Sequence, residues 1–285
     1  MVELKSFSKK YSSHSENFAV KDFSLVCESA KITGILGLNG AGKTTILKAI
    51  CAQHFATEGQ VLVDLLDASE FPQKIRNLTG FVQEEPDLKP NFTVIEYIKM
   101  SAMLHNCPLE NVEKVIKECS LEEVKFKKIK TLSKGFRERV NFAQALVYNP
   151  PVLVLDEPVN GLDPQGIVEM RELILKLNRE RSITVLISSH ILDELSRLAT
   201  HYGIIDHGRM VKELSAEELD TACRKCVHME VTDTSALARV LDSMDLQYKI
   251  LSEREADVFA KVNVTQLTAR LARESCEVLS MQEKD

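Results

Sequence analysis

"KITGILGLNGAGKTTILKAI" (31–50) decides the fold. It runs from an apolar strand at Ile32 to Leu36, through a glycine loop, into a helix that begins near Lys43. Gly37-Leu38-Asn39-Gly40-Ala41-Gly42-Lys43-Thr44 fits G-x-x-x-x-G-K-[ST] in the setting that motif needs, strand before and helix after. Glycines at 37, 40 and 42 let the backbone close around phosphate oxygens. The N–H groups of residues 39–44 then point inward as an anion nest, and the positive helix end adds to it. Lys43 supplies a point charge for β- and γ-phosphates, and Thr44 a hydroxyl for Mg²⁺. The competing reading is a glycine turn that binds nothing; the strand-to-helix context argues against it.

Working outward, "PPVLVLDEP" (150–158) has an apolar run, Val152 to Leu155, leading into acids, the pattern of a central parallel strand. Acids at the carboxyl end of such a strand lie beside the ligand crevice. Asp156 can hold the Mg²⁺ shell. Glu157 diverges from it, because successive strand side chains point apart, and is placed to polarise a water aimed at a γ-phosphate. Help of that kind is typically worth ~10²–10⁴-fold in rate. "LTGFVQE" (78–84) reads as a short buried strand, and Thr93 to Tyr148 as helical. "QGIVEMRELILKLNRE" is a further helix and "ITVLISS" (183–189) a further strand; His190 is expected to open the next helix. "YGIIDHGRMVKEL" reads as two strands around His207-Gly208. Strand–helix alternation over 32–205, broken by a helical block, implies an α/β parallel-sheet core with a helical insertion.

After Ser215 the pattern changes to strand, helix, strand, strand, helix, strand. That βαββαβ order is a ferredoxin-like α+β arrangement, so residues 216–285 are expected to form a second small domain.

The bulk numbers set limits. A chain of 285 residues suits one large domain or two ordinary ones. At 44% hydrophobic and 27% charged it has the profile of a soluble globular protein. Lys+Arg 36 against Asp+Glu 42 gives a net charge of -6, which argues against a broad nucleic-acid surface. No apolar run approaches the ~18 residues that would cross a bilayer. "MVELKSFSKKY" has lysines but no apolar core behind them, so no signal peptide is expected. The 7 cysteines are dispersed, which suits a reducing cytosol. Cys223 and Cys226 form a lone C-x-x-C with no second pair to complete a zinc site.

"TLSKGFRERV" (131–140) poses a separate question. Ser133 is a plausible N-cap, with Phe136, Val140, Ala143 and Leu146 on an apolar face. Yet Lys134, Arg137 and Arg139 crowd the end where the helix dipole is already positive and an acid would stabilise. Gly135 weakens the first turn. A solvated helix end is one reading; an anion that this chain does not itself contain is the other.

Taken together, these motifs resemble those of ABC-type ATPase subunits, over roughly residues 2–213. The resemblance makes Gly37 to Thr45 a Walker A loop and Gln83 in "FVQEEP" the Q-loop glutamine that touches Mg²⁺ and the transmembrane partner. Asp156 and Glu157 become Walker B and the catalytic glutamate. "NGLDP" (160–164) becomes the D-loop with Asp163 its acid, and His190 in "ISSH" the switch histidine at the γ-phosphate. Tyr11 corresponds to the aromatic that stacks on adenine, although the polar "SSHSEN" (12–17) before the next strand is longer than usual and leaves a core or surface tyrosine open. Leu132-Ser133-Lys134-Gly135-Phe136 stands where the family has LSGGQ: Ser133 and Gly135 keep the pattern, while Lys134 and Phe136 depart from it. In the family this helix start faces the nucleotide of a second subunit.

The resemblance implies a P-loop NTPase (RecA-like) core with an N-terminal antiparallel β subdomain and a helical subdomain at about 90–149, together spanning 1–215. It implies ATP and Mg²⁺ as cofactors, and a homodimer or heterodimer of ATP-binding subunits. It also implies an integral membrane permease as a separate partner, a place on the cytoplasmic face of the membrane, and no nucleic-acid partner. Its signature is similar to those of bacterial subunits for export of drugs, antibiotics, lipids or ions. The alternative is an ABC-type ATPase acting on ribosomes or DNA without a transporter.

Overall fold

A computed structural model describes residues 1–12, 17–222, 226–244, 246–259, 264–274 and 276–284. Cys223 and most of the polar stretch after Tyr11 lie outside the described residues. The chain opens with β1 (Val2–Lys9), β2 (Val20–Cys27), β3 (Ile32–Leu36) and α1 (Lys43–Ile50). Then come β4 (Glu58–Val63), β5 (Leu66–Asp67), α2 (Pro72–Leu78) and β6 (Thr79–Val82). The helical block comprises α3 (Val94–Leu104), α4 (Glu110–Glu118) and α5 (Lys134–Leu146). Thr93 and Glu96 form a reciprocal capping box that fixes the start of α3. β7 (Val152–Asp156), α6 (Pro164–Arg181), β8 (Thr184–Ser189), α7 (Leu192–Ser196), β9 (His201–Asp206) and β10 (Arg209–Ser215) complete this part.

Two sheets result. One is antiparallel, in the order β2-β1-β4-β5. The other is mixed, in the order β10-β9-β3-β8-β7-β6, with β10 antiparallel on its edge and the remaining pairs parallel. Every residue of β7 and β8 is buried, as a parallel strand covered on both faces must be. Ile46, Leu47 and Ile50 of α1 join Phe7 and Phe23 of the antiparallel sheet and Val154 and Leu186 of the mixed one in a single core. Each such side chain contributes about 1.5–3 kcal/mol by leaving water. The consequence for function is positional. The carboxyl ends of β3, β7 and β8 lie side by side, and the residues that leave them are Gly37, Glu157 and His190. Ligands of open α/β sheets bind at such an edge.

By its internal contacts the chain divides into Met1–Ala216 and Glu217–Asp285. The second unit begins within α8 (Ala216–Ala222) and contains β11 (Cys226–Val231), α9 (Thr234–Ser243), β12 (Tyr248–Ile250), β13 (Glu255–Val258), α10 (Val264–Arg273) and β14 (Val278–Lys284). Its strands form an antiparallel sheet ordered β12-β13-β11-β14. Leu237, Leu241, Leu267 and Leu271 of the helices pack with Met229, Val231, Ala256 and Val258 of the sheet in a core of its own.

Candidate functional site

The loop between β3 and α1 is shaped by what its glycines permit. Gly42 has φ 109°, and a Cβ there would come within 2.9 Å of the Ala19 carbonyl and of Val20. Only glycine takes that conformation without strain. Gly42 is also the N-cap of α1 and brings no side chain to the orphan N–H groups, which stay available to an anion. Asn39, Gly40, Gly42, Lys43, Thr44 and Thr45 line a cavity of about 330 Å³, joined by Ala19, Glu84 and Glu157.

Lys43 is buried, and its ammonium donates to the Gly37 and Leu38 carbonyls at 2.6 and 3.2 Å. It lies 3.1 Å from Glu157 Oε1 as an ion pair. Glu157 Oε2 meets His190 Nδ1 at 2.9 Å. A cation, a carboxylate and an imidazole thus stand in a row along the sheet edge. Asp156 lies one residue back, on the strand itself. Its carboxylate accepts from Ser188 Oγ at 2.8 Å and from the Thr44 side chain. Burial pushes its pKa up, the two hydroxyls pull it down, and the Glu84 and Glu157 charges push it up again. A desolvated carboxylate with the Thr44 hydroxyl beside it offers oxygen donors of the kind a hard divalent cation takes, while no group of three or more His, Cys, Asp or Glu among the described residues is placed to hold a metal.

The remaining expected residues fall in different places. Leu38 is exposed and Ala41 is buried in the core. Tyr11 is exposed; its hydroxyl lies 2.9 Å from Thr45 Oγ1 and its ring packs edge-on to His54, at the foot of the phosphate loop. Gln83 follows β6, and its carbonyl accepts from Asn141 of α5 at 2.9 Å. Gln83 does not line the phosphate cavity; its neighbour Glu84 does. The expectation that His190 opens a helix is corrected: α7 begins at Leu192. Ser189 Oγ accepts from Ile191 N–H and donates to Glu194, so the chain bends at His190 and is extended at Ile191 before α7 begins. Glu157 leaves the strand at φ 49°, so a backbone turn as well as strand alternation separates it from Asp156.

Ser133 caps α5, accepting from Phe136 N–H at a loose 3.4 Å. With Lys134, Gly135, Phe136 and Arg139 it lines an open cavity of about 780 Å³ whose opposite wall is Leu162, Asp163 and Gly166. Leu132 is buried behind it. Asp163 caps α6 through a 2.9 Å bond from Gly166 N–H. Lys134 and Arg137 are exposed and make no salt bridge among the described residues. No helix among the described residues is long and apolar enough to cross a membrane.

Residues 20–160 match the family model described as ABC transporter. The bacitracin transport ATP-binding protein BcrA of Enterococcus faecalis is 34% identical over 244 residues, 85% of this chain and 78% of the relative. The lantibiotic transport ATP-binding protein SrtF of Streptococcus pyogenes is 29% identical over 75% of this chain and 90% of its own length. Among solved structures, the dimeric bacterial ABC transporter cassette MJ0796 superposes with a TM-score of 0.70 at 26% identity, over 76% of this chain and 99% of the cassette. The same cassette in a post-hydrolysis state bound to ADP and Pi superposes with the same score at 27% identity.

Proposed function

The chain belongs to the ABC transporter family as an ATP-binding, ATP-hydrolysing subunit that powers transport across a membrane, and we propose that the row Lys43–Glu157–His190 is its hydrolytic centre. The observation that supports this most is the 3.1 Å pairing of buried Lys43 with Glu157 beneath the glycine loop. Without nucleotide the carboxylate neutralises the lysine. With nucleotide the β- and γ-phosphates take the ammonium, and Glu157 is released to accept a proton from the attacking water. His190, hydrogen-bonded to Glu157, orients that carboxylate and reaches toward the γ-phosphate. Gly37 to Thr45 bind the phosphates through backbone N–H groups. Thr44 and Asp156 would hold Mg²⁺, which would neutralise phosphate charge; Gln83 would join them by a movement of its loop. Tyr11 would stack on adenine, a reading supported by its exposed ring and its contact with Thr45.

The open helix start at Leu132 to Phe136, with Asp163 across the cavity, acts on ATP held by a second chain, identical or related. Residues 1–216 are the ATP-binding domain, and residues 217–285 a ferredoxin-like accessory domain, a reading supported by the βαββαβ order and four-stranded antiparallel sheet. A separate permease would dock beside Gln83 and the helical block and hold the chain at the cytoplasmic face of the membrane. The names of the relatives support an antibiotic-handling system as the transported class. Affinity purification of the chain from detergent-solubilised membranes tests the permease: a multi-span membrane protein is expected in stoichiometric amount, and its absence, with ribosomal or nucleic-acid components instead, would overturn the reading.

A further inference from the structure

The turn that follows β7 is held from two sides by residues to which the sequence reading gave no role in this turn. Glu157, its first residue, has φ 49°, a conformation that is strained for a residue with a Cβ and persists only where the surroundings impose it. Asn160 N–H donates to the Glu157 carbonyl at 3.1 Å and closes the turn. The Asn160 side-chain amide then donates to Glu84 Oε1 at 2.7 Å. Glu84 is on the loop after β6 and lines the phosphate cavity with Lys43 and Thr44. On the other side, Gly161 has φ 68°, and a Cβ there would lie 2.4 Å from Lys134 Nζ. The ammonium of the first residue of α5 therefore sits against the glycine backbone.

We propose that Glu84 and Asn160 are positioning residues for Glu157: their hydrogen bond, with Lys134 as a wall behind Gly161, sets the turn and hence the direction of the Glu157 carboxylate. This rests on Glu157 as the group that accepts the water's proton. The bond is between exposed side chains, so it adds little to stability; a carboxylate acceptor makes it firmer than a neutral pair. Its effect is on alignment, where a small displacement of a reacting group costs rate.

The test is steady-state ATP hydrolysis by the full chain. Asn160→Asp sets two carboxylates against each other, and kcat is expected to fall about tenfold, with KM for ATP within about twofold of the parent. Adding Glu84→Gln restores a donor–acceptor pair with the roles reversed, and kcat should return to within about threefold. An unchanged kcat in Asn160→Asp, no recovery in the double variant, or KM rising as kcat falls would each overturn the proposal. If Asn160→Asp does not fold, Glu84→Ala, Asn160→Ala and their combination decide instead: non-additive losses of kcat support the pair and additive ones overturn it. Glu157→Gln measured alongside separates the two readings. If it hydrolyses ATP normally, the role of Glu157 is wrong; if it is inactive while Asn160→Asp is normal, only the positioning role fails.

Discussion

The glycine loop at Gly37–Thr45 and the helix start at Leu132–Phe136 are both helix N-termini rich in positive charge, and they are treated in opposite ways. In the loop the cation is buried and met by the chain's own Glu157 and two carbonyls. At the helix start Lys134 and Arg137 are exposed, Ser133 is loosely bonded, and the cavity in front is wide. In the proposed mechanism the first is complete within one chain and exchanges an internal carboxylate for a phosphate. At the second, Lys134 and Arg137 make no salt bridge among the described residues, and the proposed anion comes from another chain. The contrast teaches that a positive helix end indicates an anion, and that its burial indicates whose anion it is.

The sharpest way to break this comparison is at the carboxylate. Glu157→Gln should lower the rate of hydrolysis about 10²–10⁴-fold, since an amide cannot take the water's proton, while labelled ATP still binds. A variant with near-normal turnover would remove Glu157 from the centre. Lys43→Ala should weaken ATP binding about 100-fold or more in an equilibrium assay, because no neighbour replaces that charge at the β- and γ-phosphates. Unchanged affinity would mean the internal ion pair is structural only.

A smaller effect separates the two regions by pH. Glu138, on the helix that starts at Lys134, is buried with Oε2 unbonded. Burial pushes its carboxyl from 4.5 up to about 7; the Asn141 bond and the Lys134 and Arg137 charges oppose the shift, and Glu84 adds to it. The folded chain therefore binds this proton more tightly than the unfolded chain does. Stability falls as pH rises from about 4.5 to about 7, and the loss is complete above that. Glu138→Gln should be more stable than the parent by about 1–3 kcal/mol at pH 8 and nearly equal at pH 4.5, by urea unfolding. Equal midpoints at pH 8 would show that the carboxyl is not strained. The smallest effect is expected from ending the chain after Ala216: both helix starts lie in the first unit, whose core is its own, so ATP affinity should stay within about twofold. An insoluble or non-binding product would place part of that fold in residues 217–285.

Much of this was legible in the sequence where spacing alone fixes geometry. The strand, loop and helix of 32–50 follow from glycines at set intervals, and β7 from four apolar residues ending in acids. The βαββαβ pattern after Ser215 was likewise visible as alternating periods. The misses come from side chains that redirect the backbone or meet across long separations. Ser189 bonds Ile191 and Glu194 and delays α7, which no propensity at His190 reveals. Glu84 and Asn160 are 76 positions apart and become partners only when β6 lies beside β7. Glu138 is a polar residue at a helical position that packing buries, so its charge reads from sequence as surface.

The central claim, that the Leu132–Phe136 helix start completes a site on another chain, is tested most directly by light scattering of two variants with ATP. Glu157→Gln should accumulate as an ATP-bound dimer. Adding Ser133→Arg should return it to a monomer that still binds ATP at its own untouched loop, because arginine bulk blocks close approach of the partner's γ-phosphate. Once the Glu157→Gln dimer has been seen, equal dimerisation by the double variant would contradict the account.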